Sequence, residues 1–142
     1  MHTTGVSTLD HAPQVVAEWL NELCRDMDWA ADKGRAYLLL RSTLHAVRDF
    51  LTVEEAVNLS SQLPVLVRGF YFEGWTPART PVHPRSKQDF LDRVAANFSK
   101  VPLDNVEEAV VAVFDLLRRK VSAGEIDQVA HSMRKPLREL WE

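Results

Sequence analysis

Apolar residues recur along the chain at intervals of three and four and almost nowhere alternate, so the pattern predicts helices throughout. Three apolar stripes lie in the first half, about Pro13 to Met27, Arg35 to Phe50 and Val53 to Phe72. Three more follow, about Lys87 to Phe98, Val106 to Lys120 and Ala123 to Trp141. The run Val110-Val111-Ala112-Val113-Phe114 has the β-branched composition of a strand, but it sits inside a longer helical-period segment and reads as helix. Thr52-Val53-Glu54-Glu55 and Ser122-Ala123-Gly124-Glu125 are capping boxes, with a hydroxyl at the N-cap and a carboxylate three residues on, satisfying two orphan amides reciprocally. Ser86-Lys87-Gln88-Asp89 and Asp104-Asn105-Val106-Glu107 are weaker forms of the same device. Pro64 and Pro136 each interrupt the third stripe of a half. A ring there removes one backbone bond and clashes with the preceding turn, at about 3 kcal/mol, so a kink or restart is expected. Gly74 closes the restarted segment as a helix C-terminal glycine. Pro77, Pro81 and Pro84 make the stretch from Trp75 to Arg85 an extended, semi-rigid hinge.

The six stripes form two sets of three. At an offset of seventy positions, Leu44, Val47, Leu51, Leu59, Leu63, Val67, Arg68, Phe70 and Tyr71 fall on Phe114, Leu117, Val121, Val129, Met133, Leu137, Arg138, Leu140 and Trp141. The first stripes align one position further on, with Trp19, Leu20, Leu23, Cys24 and Met27 meeting Phe90, Leu91, Val94, Ala95 and Phe98. The matched turn signals reinforce the apolar matches. The expected fold is therefore all-α, a tandem duplication of a three-helix unit packed as one helical-bundle domain with pseudo-twofold symmetry. Its bounds are repeat 1 at about 10–74, the linker at about 75–85 and repeat 2 at about 86–142, within a single domain over 1–142.

Composition narrows the function classes. A chain of 142 residues, 46% hydrophobic and 26% charged, is long enough to bury roughly 70% of its unfolded surface as one domain. No apolar run approaches the roughly 18 residues a spanning helix needs, so no membrane insertion is expected. The start Met1-His2-Thr3-Thr4-Gly5 lacks the basic and apolar regions of a secretory signal, and a single cysteine cannot form an internal disulfide; the expected compartment is the cytoplasm. The net charge of −3 offers no overall basic field for nucleic acid.

No constellation declares a catalytic centre, a metal site or a cofactor site. His2, His11, His45, His83 and His131 are scattered, and the two carboxylate–histidine pairs at i,i+4 spacing, Asp127 with His131 and His45 with Asp49, read as surface ion pairs. Cys24 shares an apolar stripe with Leu20, Leu23 and Met27 and reads as a buried thiol, against the alternative of a redox sensor near Arg25. Basic residues cluster at Arg79 to Lys87, at Arg118-Arg119-Lys120 and at Arg134-Lys135 with Arg138. The middle cluster closes a helix, where cations complement the dipole, and nucleic-acid binding would need all three on one face.

The most distinctive stretch runs from Gln62 to Trp75. Phe70, Tyr71 and Phe72 point in directions about 100° apart, so with Trp75 they exceed what one helix face buries. They either clamp the linker and second half against the first or form an aromatic patch for a partner. Arg48, Asp49 and Arg68 read as structural, a guanidinium with a carboxylate and helix-end carbonyls fixing an interhelical angle. Pro64 and Gly74 are structural by the arguments above.

Leu44-His45-Ala46-Val47-Arg48-Asp49-Phe50-Leu51-Thr52-Val53-Glu54-Glu55-Ala56, then Gln62-Leu63-Pro64 and Arg68-Gly69-Phe70-Tyr71-Phe72-Glu73-Gly74-Trp75, resembles the bacterial domain-of-unknown-function family 2267. Phe90-Leu91, Ser122 to Glu125 and Leu140-Trp141 extend the resemblance over nearly the whole chain, with a departure at Phe50, where the family pattern favours a basic residue. The resemblance implies a small helical protein and brings no catalytic or ligand residues to transfer. The expected function is a non-catalytic interaction module, self-associating or bound to another protein through the aromatic segment after Pro64. The alternative is a small apolar-ligand binder with a pocket between the repeats, and an enzyme stands third.

Overall fold

The computed structural model describes residues 3–142; Met1 and His2, part of the start read above for targeting, lie outside the described residues. The described chain is an all-α bundle without strands. Helices α1 (Ser7–Met27), α2 (Lys33–Phe50), α3 (Val53–Ser60) and α4 (Val65–Phe72) form the first half. Helices α5 (Lys87–Ala95), α6 (Val106–Lys120), α7 (Ala123–His131) and α8 (Lys135–Arg138) form the second. Short 3₁₀ turns follow α4, α5 and α8, at Pro77–Arg79, Ala96–Phe98 and Glu139–Trp141. Among the described residues no helix is long and apolar enough to cross a membrane.

Helices α2 and α6 form the centre, because their apolar positions surround the helix rather than occupying one stripe. Leu39, Leu40, Leu44 and Val47 of α2 and Val110, Val113, Phe114, Leu116 and Leu117 of α6 are fully buried. Helix α1 packs on both, as does α5, so these four make a bundle. The shorter α3–α4 and α7–α8 pairs close it, with α4 on α1 and α2, and α3 touching α7. The aromatic interior runs from Phe50 through Phe90 to Phe114, whose ring stacks on Trp141 at 3.7 Å.

Helix boundaries depart from the sequence pattern in ways that local chemistry explains. The first helix begins at Ser7, six residues before Pro13, which lies inside it. The bond that Pro13 cannot donate would go to the exposed turn at Leu9, where water serves the free carbonyl. Asp32 caps α2 through the Arg35 amide at 3.1 Å, and Asn105 rather than Asp104 caps α6 through the Glu108 amide at 3.0 Å. The third stripe of each half restarts. Pro64 (ψ 154°) and Arg134 (ψ 151°) adopt the same extended turn seventy positions apart, although Pro136 lies two residues beyond that register. An arginine reaches back across each break: Arg68 donates to the Ser60 and Leu63 carbonyls, both at 2.9 Å, and Arg138 to the Met133 carbonyl at 3.1 Å.

The capping box expected at Ser122 forms only in part. The Glu125 amide donates to Ser122 Oγ, but the reciprocal place on the Ser122 amide is taken by Gln62 Oε1 at 2.8 Å, reaching from the turn after α3. The box at Thr52 closes with its own Glu55, and that at Ser86 with Asp89.

Residues from Arg41 to Val47 and from Leu51 to Leu63 match the residues seventy positions later in whether they are buried, half-buried or exposed. The hinge is tied to the first half by the Val82 amide, which donates to the Asp49 carbonyl at 2.9 Å. Gly74, beyond the end of α4, has φ +73°, the left-handed conformation that favours glycine.

Candidate interaction surface

Arg48 lies near the end of α2 with its side chain only 5% exposed. One guanidinium nitrogen donates to the Tyr71 and Glu73 carbonyls, both at 2.9 Å, and Nε donates to Asp49 Oδ1 at 2.9 Å. The carbonyls left free by the end of α4 thus receive a charged donor from α2. Asp49 Oδ2 also receives Arg93 of α5 at 3.4 Å, so this cluster joins α2, α4, α5 and the hinge. Arg68 serves the break before Pro64, as described above.

The aromatic segment divides between core and rim. Tyr71 is fully buried and its hydroxyl donates to the Ala56 carbonyl at 2.8 Å, so it has no surface to offer a partner. Burial also pushes its phenol well above the ordinary range. Phe70, Phe72 and Trp75 are half-buried. Phe70 meets Tyr37 edge-on at 5.3 Å, and Phe72 lies between Tyr71 and Trp75.

Neither histidine–carboxylate pair of the sequence pattern forms. His131 Nδ1 faces the Asp127 backbone carbonyl at 2.7 Å, and His45 Nε2 faces the Phe70 carbonyl at 2.6 Å, so Nε2 carries the proton there. The spacing was right for a contact, but in His131 the helix backbone supplies the nearer acceptor, and in His45 helix α4 does. Burial holds His45 below the ordinary histidine value, reinforced by Arg48 and Arg41. Cys24 is buried, and burial pushes its thiol up. In the cluster Arg118-Arg119-Lys120, Arg119 pairs with Glu22 at 3.2 Å and Asp26 at 3.0 Å, Lys120 pairs with Glu22, and Arg118 with Asp115, so α6 is fastened to α1.

Helices α3 and α7 meet along a polar seam. Gln62 Nε2 donates to Ser122 Oγ at 3.0 Å, and Ser132 Oγ donates to Glu55. Burial works against the Glu55 charge, but donors from Ser132 and Thr52 hold its carboxyl below the ordinary range. Glu125, displaced from its own capping box by Gln62, is pushed up by burial and by the Glu55 charge.

The exposed face of the first half is the feature that the apolar pattern alone did not single out. Val6, Leu9, Val53, Val57, Val65 and Leu66 are all more than 40% exposed and belong to α1, α3, α4 or the residue preceding α1. A groove of about 820 Å³ opens between the first turns of α1 and the start of α4, lined by Thr8, His11, Ala12, Val15, Pro64 and Val65, with Asp10 at its edge. Seventy positions on from Val53, Val57, Val65, Leu66 and Gly69 stand Ala123, Asp127, Lys135, Pro136 and Glu139, in which each of the four apolar side chains has become smaller or charged. Both sets are exposed. Comparing the outward positions of the two halves, rather than their shared apolar ones, is the signal that would have found this face. A second cleft of about 500 Å³ separates the start of α2 from residues 97–101. Arg35 spans it, stacked on Trp29 and Phe98 and bonded to the Val101 and Pro102 carbonyls.

No curated protein matches the chain. The profile of the family described as "Uncharacterized conserved protein (DUF2267)" matches residues 16–140, which takes in every helix of the bundle from the middle of α1 onward, and the chain belongs to that family.

Proposed function

We propose that the chain is a non-catalytic interaction module, a tandem duplication of a three-helix unit in which the first copy has kept or gained a docking face. Three observations support the duplication: the coincident burial of residues seventy positions apart, the twin breaks reached by Arg68 and Arg138, and contacts that recur in pairs. Thus α1 meets α4 as α5 meets α8, and α2 meets α3 as α6 meets α7. The docking reading rests on one observation, the exposed Val53, Val57, Val65 and Leu66 where the other half carries Ala123, Asp127, Lys135 and Pro136. Exposed apolar side chains lose nothing in a monomer by becoming polar, so their presence at these four positions and not at the positions seventy residues on points to a partner. Phe70, Phe72 and Trp75, half-buried at and just after the end of α4, are the aromatic part of the proposed interaction surface; Arg48, Asp49, Pro64, Arg68 and Gly74 hold the helices that present it. The single domain, a cytoplasmic location and the absence of nucleic-acid binding belong to the same proposal.

The test pairs wild type with the double substitution Val65→Asp, Leu66→Asp. Both sites are exposed, so the melting temperature should stay within a few degrees. A partner recovered after cross-linking in cells, or self-association seen by light scattering, should be lost. Unchanged association in both measurements overturns the reading.

The groove's volume also favours a second reading, a small apolar molecule, seated between α1 and α4 within the first half and not in the pocket between the repeats that the sequence suggests, since such sites span about 300–1,000 Å³. Native mass spectrometry of protein purified without denaturation tests it. A ligand retained by wild type and lost on Val65→Asp supports it.

A further inference from the structure

Charge around the groove narrows what can occupy it. Glu22 and Asp26 of α1 are neutralised by Arg119 and Lys120 of α6, so the groove's charge is set by the carboxylates nearer its lining. On α1, Asp10 borders the groove and Glu18 follows Val15 along the same stripe, both exposed. No Lys or Arg precedes Arg25 on α1, and α3 has none. The cation of α4, Arg68, is turned inward onto the Ser60 and Leu63 carbonyls. Among the described residues His11 is the one basic group that lines the groove. The outer face of α4 is Val65, Leu66 and Gly69, and a side chain added at Gly69 would meet open space.

We infer that this groove receives an amphipathic helix of a partner protein, with apolar residues at i, i+3 or i+4, and i+7 and with Lys or Arg along its flanks. The inference rests on the interaction reading above. The groove between two helices supplies the apolar bed for such a stripe, and the missing side chain at Gly69 lets a backbone come close. Asp10 and Glu18 then face the partner's cations. A second copy docking through the same face would bring two acidic surfaces together, and like charges across an interface oppose association.

The experiment uses the full chain and two synthetic helical peptides of about 18 residues with identical apolar positions, one filled with Lys and Arg and the other with Glu. Binding is followed by fluorescence anisotropy of the labelled peptide at low and at physiological salt. The basic peptide should bind at least about tenfold more tightly than the acidic one, with the margin narrowing as salt rises. Val65→Asp with Leu66→Asp should abolish binding, and Glu18→Gln should weaken the basic peptide alone by severalfold, each without loss of helical circular dichroism. Equal affinity for both peptides, no binding of either, or indifference to the Val65 and Leu66 changes overturns the inference. Failure of both peptides while association in cells or in light scattering still depends on Val65 and Leu66 refutes the basic helix and leaves the interaction reading standing. Loss of that dependence as well refutes both.

Discussion

Replacing Arg48 by methionine should cost about 3–5 kcal/mol, because it removes a buried charged donor and leaves its acceptors in place. Methionine fills much of the volume, so the expected loss is electrostatic and hydrogen-bonding rather than a cavity. In the native chain the guanidinium makes 2.9 Å bonds to the Tyr71 carbonyl, the Glu73 carbonyl and Asp49. Without it, two carbonyls at the end of α4 lose their donor, and an unsatisfied buried acceptor costs about 1–3 kcal/mol. Asp49 keeps only Arg93, at 3.4 Å and on a side chain 43% exposed, which is worth well under 1 kcal/mol. For a chain of this length each kcal/mol lowers the melting temperature by roughly 3 °C, so Arg48→Met should melt roughly 10–15 °C below wild type. Arg48→Lys keeps the charge but not the fork that reaches carbonyls and carboxylate together, and should recover only part of the loss. Urea denaturation followed by circular dichroism measures both. A loss below about 1 kcal/mol for the methionine variant would mean that the end of α4 is satisfied by water, and the assigned role of Arg48 would fall.

Arg68→Ala removes the donors that span the break before Pro64 and should cost about 1–3 kcal/mol in urea unfolding; unchanged stability would refute that role. Gln62→Ala should cost less than about 1 kcal/mol, because Glu125 can swing back to cap the Ser122 amide, whereas Gln62→Ala combined with Glu125→Ala should cost more than the sum of the two. A strictly additive cycle would show that Glu125 does not replace Gln62. His45 is held below its ordinary value when folded, so the unfolded chain takes up a proton first as the pH falls below about 6.5. Its contribution to stability is therefore present above that pH and lost below it. The wild-type urea midpoint should drop between pH 7.5 and pH 5.5 by more than that of His45→Gln, and equal drops would refute the assignment.

The helical class, the six stripes and the restarts near Pro64 and Pro136 were legible in the sequence, because each depends on residues within a few positions of one another. Apolar spacing of three and four determines which face of a helix is buried, and a proline or a hydroxyl cap acts on its own turn. The start of α1 was not legible: Pro13 marks a favourable first-turn position, yet the exposed chain from Ser7 continues through it. The cap at Ser122 was half legible for the same kind of reason. Its local partner Glu125 is present, but Gln62, sixty residues away, occupies the amide.

The candidate face shows the same division. Phe70, Tyr71, Phe72 and Trp75 are too close in the chain for one helix face to bury them all, since consecutive side chains diverge. Which of them stays dry was decided by tertiary structure, where Ala56 of α3 offers its carbonyl to the Tyr71 hydroxyl and thereby draws that ring inward. Likewise, Val65 and Leu66 have the composition of core residues, and only the tertiary packing leaves Val65 lining an open groove beside α1 and Leu66 exposed next to it in the chain. Local spacing fixes which residues share a face; what that face meets depends on helices far away in the chain, and a single sequence does not carry that distance.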